Sequence, residues 1–190
     1  MGSLLAALER RGADFVVGGD PALVDAARAV IVPGDGAFGA TMRALDERGL
    51  TPALRRLVAR DGLFLGICVG MQILYEYGDE HGEQRGLGIF PGRVSRFERA
   101  PRVPHMGWNA LEPVRAHPFV AGLRADDYAY FLHSYRAAVD ALTLAACEHG
   151  ERFTAIAGLG NVMGTQFHPE KSQRTGAKLL DNFLALCEPK

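Results

Sequence analysis

Few backbones accommodate the pattern Gly66-Ile67-Cys68-Val69-Gly70, which stands between the apolar run Leu63 to Cys68 and a segment that continues with Met71 and Gln72. A nucleophile flanked by small residues two positions away on each side fits a sharp strand-to-helix bend, where side chains at the flanking positions would collide. The chain therefore has to deliver a strand that passes at once into a helix, which is the unit of an α/β fold. Its neighbours agree. Ala13 to Val17 and Ala29 to Val32 are β-branched runs that read as strands. Met42, Leu45, Leu50, Leu54, Leu57 and Val58 predict helical structure over 40–60, broken around Gly49 to Pro52 and stopped by Gly62. Strands alternating with helices imply a parallel sheet covered by helices, with ligands bound beyond the carboxyl ends of its strands.

The second half changes character. Gly88, Pro91, Gly92, Pro101, Pro104 and Gly107 punctuate residues 87–112 as a β-ribbon with loops, and the segments TLAACEH, FTAIA and NVMGTQFHPE read as hairpin strands. A closing amphipathic helix is predicted from about Gln173 to Cys187, with Ala177, Leu180, Phe183, Leu184 and Cys187 on one face. No repeat or linker divides the chain, so residues 1–190 are expected to form a single domain. Hydrophobic residues at 48% supply the core for one. Twenty-one basic against 22 acidic residues leave no cationic field for nucleic acid. No apolar run approaches the roughly 18 residues of a membrane span. Three cysteines in dissimilar surroundings argue against a disulfide framework, and the expected compartment is the cytoplasm. No metal-ligand spacing is found, so neither a metal nor a cofactor is expected.

Chemistry concentrates in three segments. Cys68 at the start of a helix would have its thiolate favoured by the dipole and by free N–H groups; taken alone, it is equally a buried packing cysteine. His168 and Glu170, in Gln166-Phe167-His168-Pro169-Glu170, are two apart, and in extended backbone that places both on one face, where the carboxylate can orient the imidazole. Read in isolation, the pair is a surface histidine beside a solvated glutamate. Acyl transfer also needs oxyanion donors. The N–H of Val69 and one from the Gly34-Asp35-Gly36 loop would make a two-donor hole, although the loop also reads as an ordinary or phosphate-binding turn.

PGDGAF, GICVGMQ and QFHPEKS, in this order and spacing, resemble the motifs of the triad-type, class I glutamine amidotransferases over most of the chain. The resemblance implies a flavodoxin-like sheet flanked by helices, and a reaction in which Cys68 attacks the side-chain amide of glutamine. His168 would shuttle the proton and Glu170 orient it, giving glutamate and ammonia. It further implies substrate contacts for Gln72, Glu80 and Ser134. Pro104 to Asn109 (PHMGWN) and Phe131 to Ala137 (FLHSYRA) are similar to one branch of that family, the glutaminase subunits of imidazole glycerol phosphate synthases. That branch implies a (β/α)8-barrel cyclase partner, met through Met106, Trp108, Asn109 and Lys171, which uses the ammonia to form imidazole glycerol phosphate and AICAR in histidine biosynthesis. Trp108 is otherwise a core aromatic. Two departures stand out. Asp35 occupies a position where the family more often has an apolar residue, so its charge has to point away from a developing oxyanion. The opening MGSLLAALE is similar to the helix after the family's first strand, so that strand is expected to be missing and the recorded start to be internal. The competing readings are a glutaminase of another pathway, such as pyridoxal phosphate synthesis, and a catalytically idle α/β binding module.

Overall fold

The apolar run Leu63–Cys68 becomes the fully buried strand β2 of a six-stranded sheet in the computed structural model, which describes residues 2–188. Before it come α1 (Gly2–Glu9), α2 (Pro21–Ala26), β1 (Ala29–Gly34), α3 (Phe38–Glu47) and α4 (Leu50–Ala59). The one-turn helix α5 (Val69–Gln72) follows, then β3 (Tyr75–Gly78), β4 (Gln84–Arg85), β5 (Phe90–Arg96), β6 (His105–Ala110) and β7 (Glu112–Pro113). The chain ends with β8 (Tyr128–His133), β9 (Tyr135–Ala137), β10 (Thr143–Glu148), β11 (Arg152–Leu159), β12 (Val162–Thr165) and α6 (Gln173–Cys187).

The main sheet runs β1-β2-β12-β11-β10-β7. Its first three strands are parallel, and β11, β10 and β7 continue it in antiparallel fashion. Parallel β1 and β2 need a crossover, which α3 and α4 supply. The two helices part at Gly49, whose left-handed φ of 68° suits a residue without a Cβ. A sheet of β4-β3-β5-β9 and a ribbon of β6 with β8 account for the hairpin character of the second half. The sheet is therefore mixed, parallel only at the end that carries Cys68.

α6 spans Gln173–Cys187, as its apolar spacing predicts, and buries Leu179, Leu180 and Phe183. Burying such side chains stabilises the fold by at most about 1.5–3 kcal/mol each. Cys187 is partly buried against the core, and all three cysteines are free.

Residues 13–17 depart from expectation. They form no strand; Ala13 and Phe15 pack against the core while Val16 and Val17 stand exposed. The β-branched residues extend the backbone and alternate it between inside and outside, but a strand also needs a neighbour, and no described residue pairs with these. Met1, with which the expectation about the start is concerned, lies outside the described residues.

Candidate active site

Cys68 sits at the junction of β2 and α5 with φ 56° and ψ −112°, a strained conformation for a residue with a side chain. The flanking glycines are there for space. A Cβ on Gly66 would lie 2.2 Å from the carbonyl oxygen of Gly70, and one on Gly70 would lie 1.8 Å from that of Val32. The bend is the sharp strand-to-helix turn that the glycine spacing predicts.

His168 faces it. The strand β12 ends at Thr165, and the backbone N–H of His168 then donates to Tyr130 O at 3.2 Å, tying this segment to β8. Ser172 reinforces the tie, because its hydroxyl donates to His168 O at 2.7 Å and accepts from Tyr130 N at 3.0 Å. Glu170 does not reach His168 from extended backbone as expected. Pro169–Lys171 is a single 3-10 turn, with Pro169 at the first position, where no N–H is needed. The turn brings Glu170 Oε1 to 2.9 Å from His168 Nδ1, so the other ring nitrogen is left for the Cys68 thiol. Both side chains are more than nine-tenths buried.

Burial works against charge on His168, but hydrogen bonds from the ring to Cys68 and Glu170, and the charges of both, outweigh it and push the imidazole up to about 9. Burial likewise opposes charge on Glu170, yet the hydrogen bond from His168 and the nearby positive charges of His168 and Lys171 hold its carboxyl below the usual range. The pair is thus set to carry an imidazolium beside a carboxylate.

The oxyanion candidates lie alongside. Gly34 is opposite Cys68 in the β1–β2 ladder, and a Cβ there would come within 2.8 Å of Val69 Cβ and 3.0 Å of Gly70 N. Val69 opens α5, so its N–H has no partner within the helix. Asp35 and Gly36 are exposed, which takes the Asp35 charge out of the packed interior.

The substrate candidates are distributed differently. Ser134 joins β8 to β9, beside Leu132, whose carbonyl lies 3.9 Å from Cys68 Sγ. Gln72 is buried, and its amide group donates to Tyr135 O and to Gln166 Oε1, each at 3.0 Å. Glu80 is further along, with Oε2 accepting from Phe38 N at 2.7 Å. Gln166 was not anticipated as a site residue. It is fully buried and directs its amide N–H at Cys68 Sγ from 3.8 Å. Its position two residues before His168 in a strand-like run was the available signal.

Three histidines, His105, His133 and His149, cluster in space around His105, and His133 adjoins Ser134 in sequence. His133 Nδ1 must donate to Tyr135 O, at 2.8 Å, so its Nε2 accepts from His105 Nδ1–H at 3.1 Å. His149 lies flat on His105 with ring centroids 4.0 Å apart. Burial and neighbouring imidazoles push His105 down to about 4 and His133 to about 3. Both are neutral packing residues, not proton carriers.

The four interface candidates do not share one face. In the β6–β8 register Met106 pairs with Leu132, Trp108 with Tyr130 and Ala110 with Tyr128. Met106, Trp108, Leu132 and Tyr128 are exposed large hydrophobics, and the Trp108 and Tyr130 rings meet edge to face at 5.9 Å. Asn109 alternates to the other side and donates to Glu148 O at 2.9 Å. Lys171 is exposed in the turn that carries Glu170. Among the described residues no group of three or more His, Cys, Asp or Glu side chains is arranged to hold a metal ion, and no helix is long and apolar enough to cross a membrane.

The family model for class I glutamine amidotransferases matches residues 16–187. A protein of Xanthomonas oryzae pv. oryzae called imidazole glycerol phosphate synthase subunit HisH is 46% identical over 191 residues, covering 100% of this chain and 94% of its own length. One of the same name from Chromobacterium violaceum is 45% identical, covering 95% of this chain and 89% of its own. Among solved structures, one described as a glutamine amidotransferase superposes with a TM-score of 0.75 at 23% identity, over 97% of this chain and 92% of that one. A Trypanosoma brucei CTPS glutaminase domain with bound acivicin gives 0.67 at 12% identity, over 97% and 86%. These last two show the fold.

Proposed function

The chain belongs to the class I glutamine amidotransferase family, and from that premise we propose that Cys68, His168 and Glu170 are its catalytic triad. It is the glutaminase subunit of an imidazole glycerol phosphate synthase and serves histidine biosynthesis. The observation that carries the assignment of residues is one arrangement: a cysteine at a glycine-flanked elbow, against an imidazole whose other nitrogen is held by a buried carboxylate at 2.9 Å.

Cys68 gives its proton to His168, and Glu170 stabilises the imidazolium that results. The thiolate adds to the side-chain carbonyl carbon of glutamine, and the oxyanion is met by the N–H of Val69 and one amide from Gly34 to Gly36. His168 returns the proton to the departing nitrogen, so ammonia leaves and a glutamyl thioester remains. Water, deprotonated by His168, then adds to the thioester, and collapse releases glutamate and restores the thiol. Ser134 and Glu80 are assigned to the amino-acid end of glutamine. Gln72 acts through Gln166, which its amide group holds beside Cys68 Sγ.

The ammonia goes to a (β/α)8-barrel cyclase partner, which forms imidazole glycerol phosphate and AICAR. An exposed aromatic face on β6 and β8, one strand away from His168 through the Tyr130 carbonyl, is the surface we assign to that partner, with Met106 and Trp108 at its centre and Lys171 beside it. Asn109 supports the ribbon from behind. The enzyme is read as cytoplasmic on the strength of three unpaired cysteines. The triad is tested by acid quench during turnover of glutamine, followed by mass spectrometry. A glutamyl adduct on the peptide containing Cys68 is expected; an adduct on Cys147 or Cys187 would overturn the assignment.

A further inference from the structure

We infer that Glu80 is a positioning residue for the oxyanion loop as well as a substrate contact, so that the amino group of glutamine and the loop that receives the oxyanion are coupled through one carboxylate. The inference rests on the glutaminase reading above.

The loop of residues 35–37 joins β1 to α3 and is anchored at both ends. At the near end Gly34 is fixed by its pairing with Cys68 and its packing on Val69 and Gly70. At the far end α3 begins without help from its own cap, since Ala37 has no side-chain acceptor to offer. Glu80 supplies it from elsewhere in the chain, accepting the Phe38 N–H at 2.7 Å. An anionic acceptor at the start of a helix is favoured by both the free donor and the dipole.

The same hairpin also grips the Phe38 ring. That ring is 1% exposed, and a Cβ on Gly78 or Gly86 would lie 2.6 Å or 3.1 Å from its atoms. Gly78 ends β3 and Gly86 follows β4, so they flank the turn that carries Glu80. Phe38 is thus held by its ring on the strands and by its amide on the turn. Between the two anchors only Asp35 and Gly36 are exposed, and they are the residues whose peptide has to be oriented. A carboxylate has two oxygens with acceptor capacity to spare. Oε2 serves Phe38, and Oε1 accepts no hydrogen bond from the described residues, which leaves it for an ammonium group. A substrate ammonium at Oε1 pulls on the carboxylate that sets the far end of the loop.

The test uses the assembled enzyme with its cyclase subunit, glutamine, and glutaramate, which is glutamine with hydrogen in place of the amino group. If Glu80 only bound the ammonium, Glu80→Ala would cost nothing on glutaramate. We expect Glu80→Ala to lower kcat on glutaramate about tenfold or more, by loss of oxyanion stabilisation. Glu80→Gln, whose amide oxygen can still accept from Phe38 N–H, should recover most of that loss while KM for glutamine stays high. Amide hydrogen exchange in the free chain supplies a readout independent of turnover: Phe38 should exchange about tenfold faster in Glu80→Ala and near the parent rate in Glu80→Gln, with β2 and α6 unchanged. Unchanged Phe38 exchange in Glu80→Ala, or unchanged kcat on glutaramate with a loss confined to glutamine, would overturn the coupling. Failure of the parent complex to hydrolyse glutamine would instead sink the glutaminase reading and leave the exchange result to decide the anchor.

Discussion

At the scale of single residues the proton arrangement at His168 makes the sharpest demands. Glu170→Gln keeps the shape of the side chain but removes the charge that favours the imidazolium, so the His168 value should fall from about 9 towards 6.5 and glutamine hydrolysis should drop by about 10²–10⁴-fold. Ring chemical shifts across a pH titration read the first effect and initial rates the second; an unmoved His168 titration would mean that Glu170 does not set it. Cys68→Ala and Cys68→Ser should each abolish hydrolysis with the fold intact, whereas Cys147→Ala and Cys187→Ala should remain active. The three positions proposed as catalytic were legible because each lies in a short motif with a recognisable residue pattern, although Glu170 meets His168 from a turn. Gln166 and the second attachment of Glu80 were not. Both depend on contacts between segments far apart in the chain, and nothing near Glu80 in sequence points to Phe38.

At the scale of elements the elbow and the last helix are the least tolerant of added volume. Gly70→Ala would force a methyl against the Val32 carbonyl, 1.8 Å away, and Gly176→Ala would do the same against Pro169 O at 1.7 Å. Backbone on both sides cannot rotate away as a side chain would, so each change should destabilise by at least about 1–3 kcal/mol, measured by urea unfolding. Gly82→Ala, where nothing lies within 4 Å but φ is 95°, should cost less than either. A neutral Gly70→Ala would contradict the account of the bend. The breaks at Gly49 and Gly62, the strand Leu63–Cys68 and the span of α6 follow from apolar spacing and punctuation. Residues 13–17 did not follow, because β-branched composition favours extension without providing a partner strand. Glu170 came from a turn and not from a strand, since Pro169 starts a 3-10 turn as readily as it extends a chain.

At the scale of the molecule the titrating histidines oppose one another. His105 and His133 are buried neutral and titrate far below 6.5, so as pH falls from 6.5 the unfolded chain takes up protons that the folded chain refuses, and stability falls by up to about 1.4 kcal/mol per pH unit for each. His168 has the opposite sign: its raised value stabilises fully below 6.5, and that contribution is lost as pH rises through about 9. Unfolding followed at several pH values should therefore show a maximum around pH 6.5, in one cooperative transition, because we treat residues 1–190 as a single domain. Stability that increased from pH 6.5 down to 5 would contradict the lowered values of His105 and His133. The exposed aromatic ribbon face belongs to this scale too, as the surface proposed for the partner. The most direct measurement of the whole account is glutamate release from glutamine by the purified chain together with the cyclase subunit and its ribonucleotide ligand. Release that depends on the partner and disappears in Cys68→Ala is predicted. No release from the assembled enzyme, or equal release from Cys68→Ala, would contradict it.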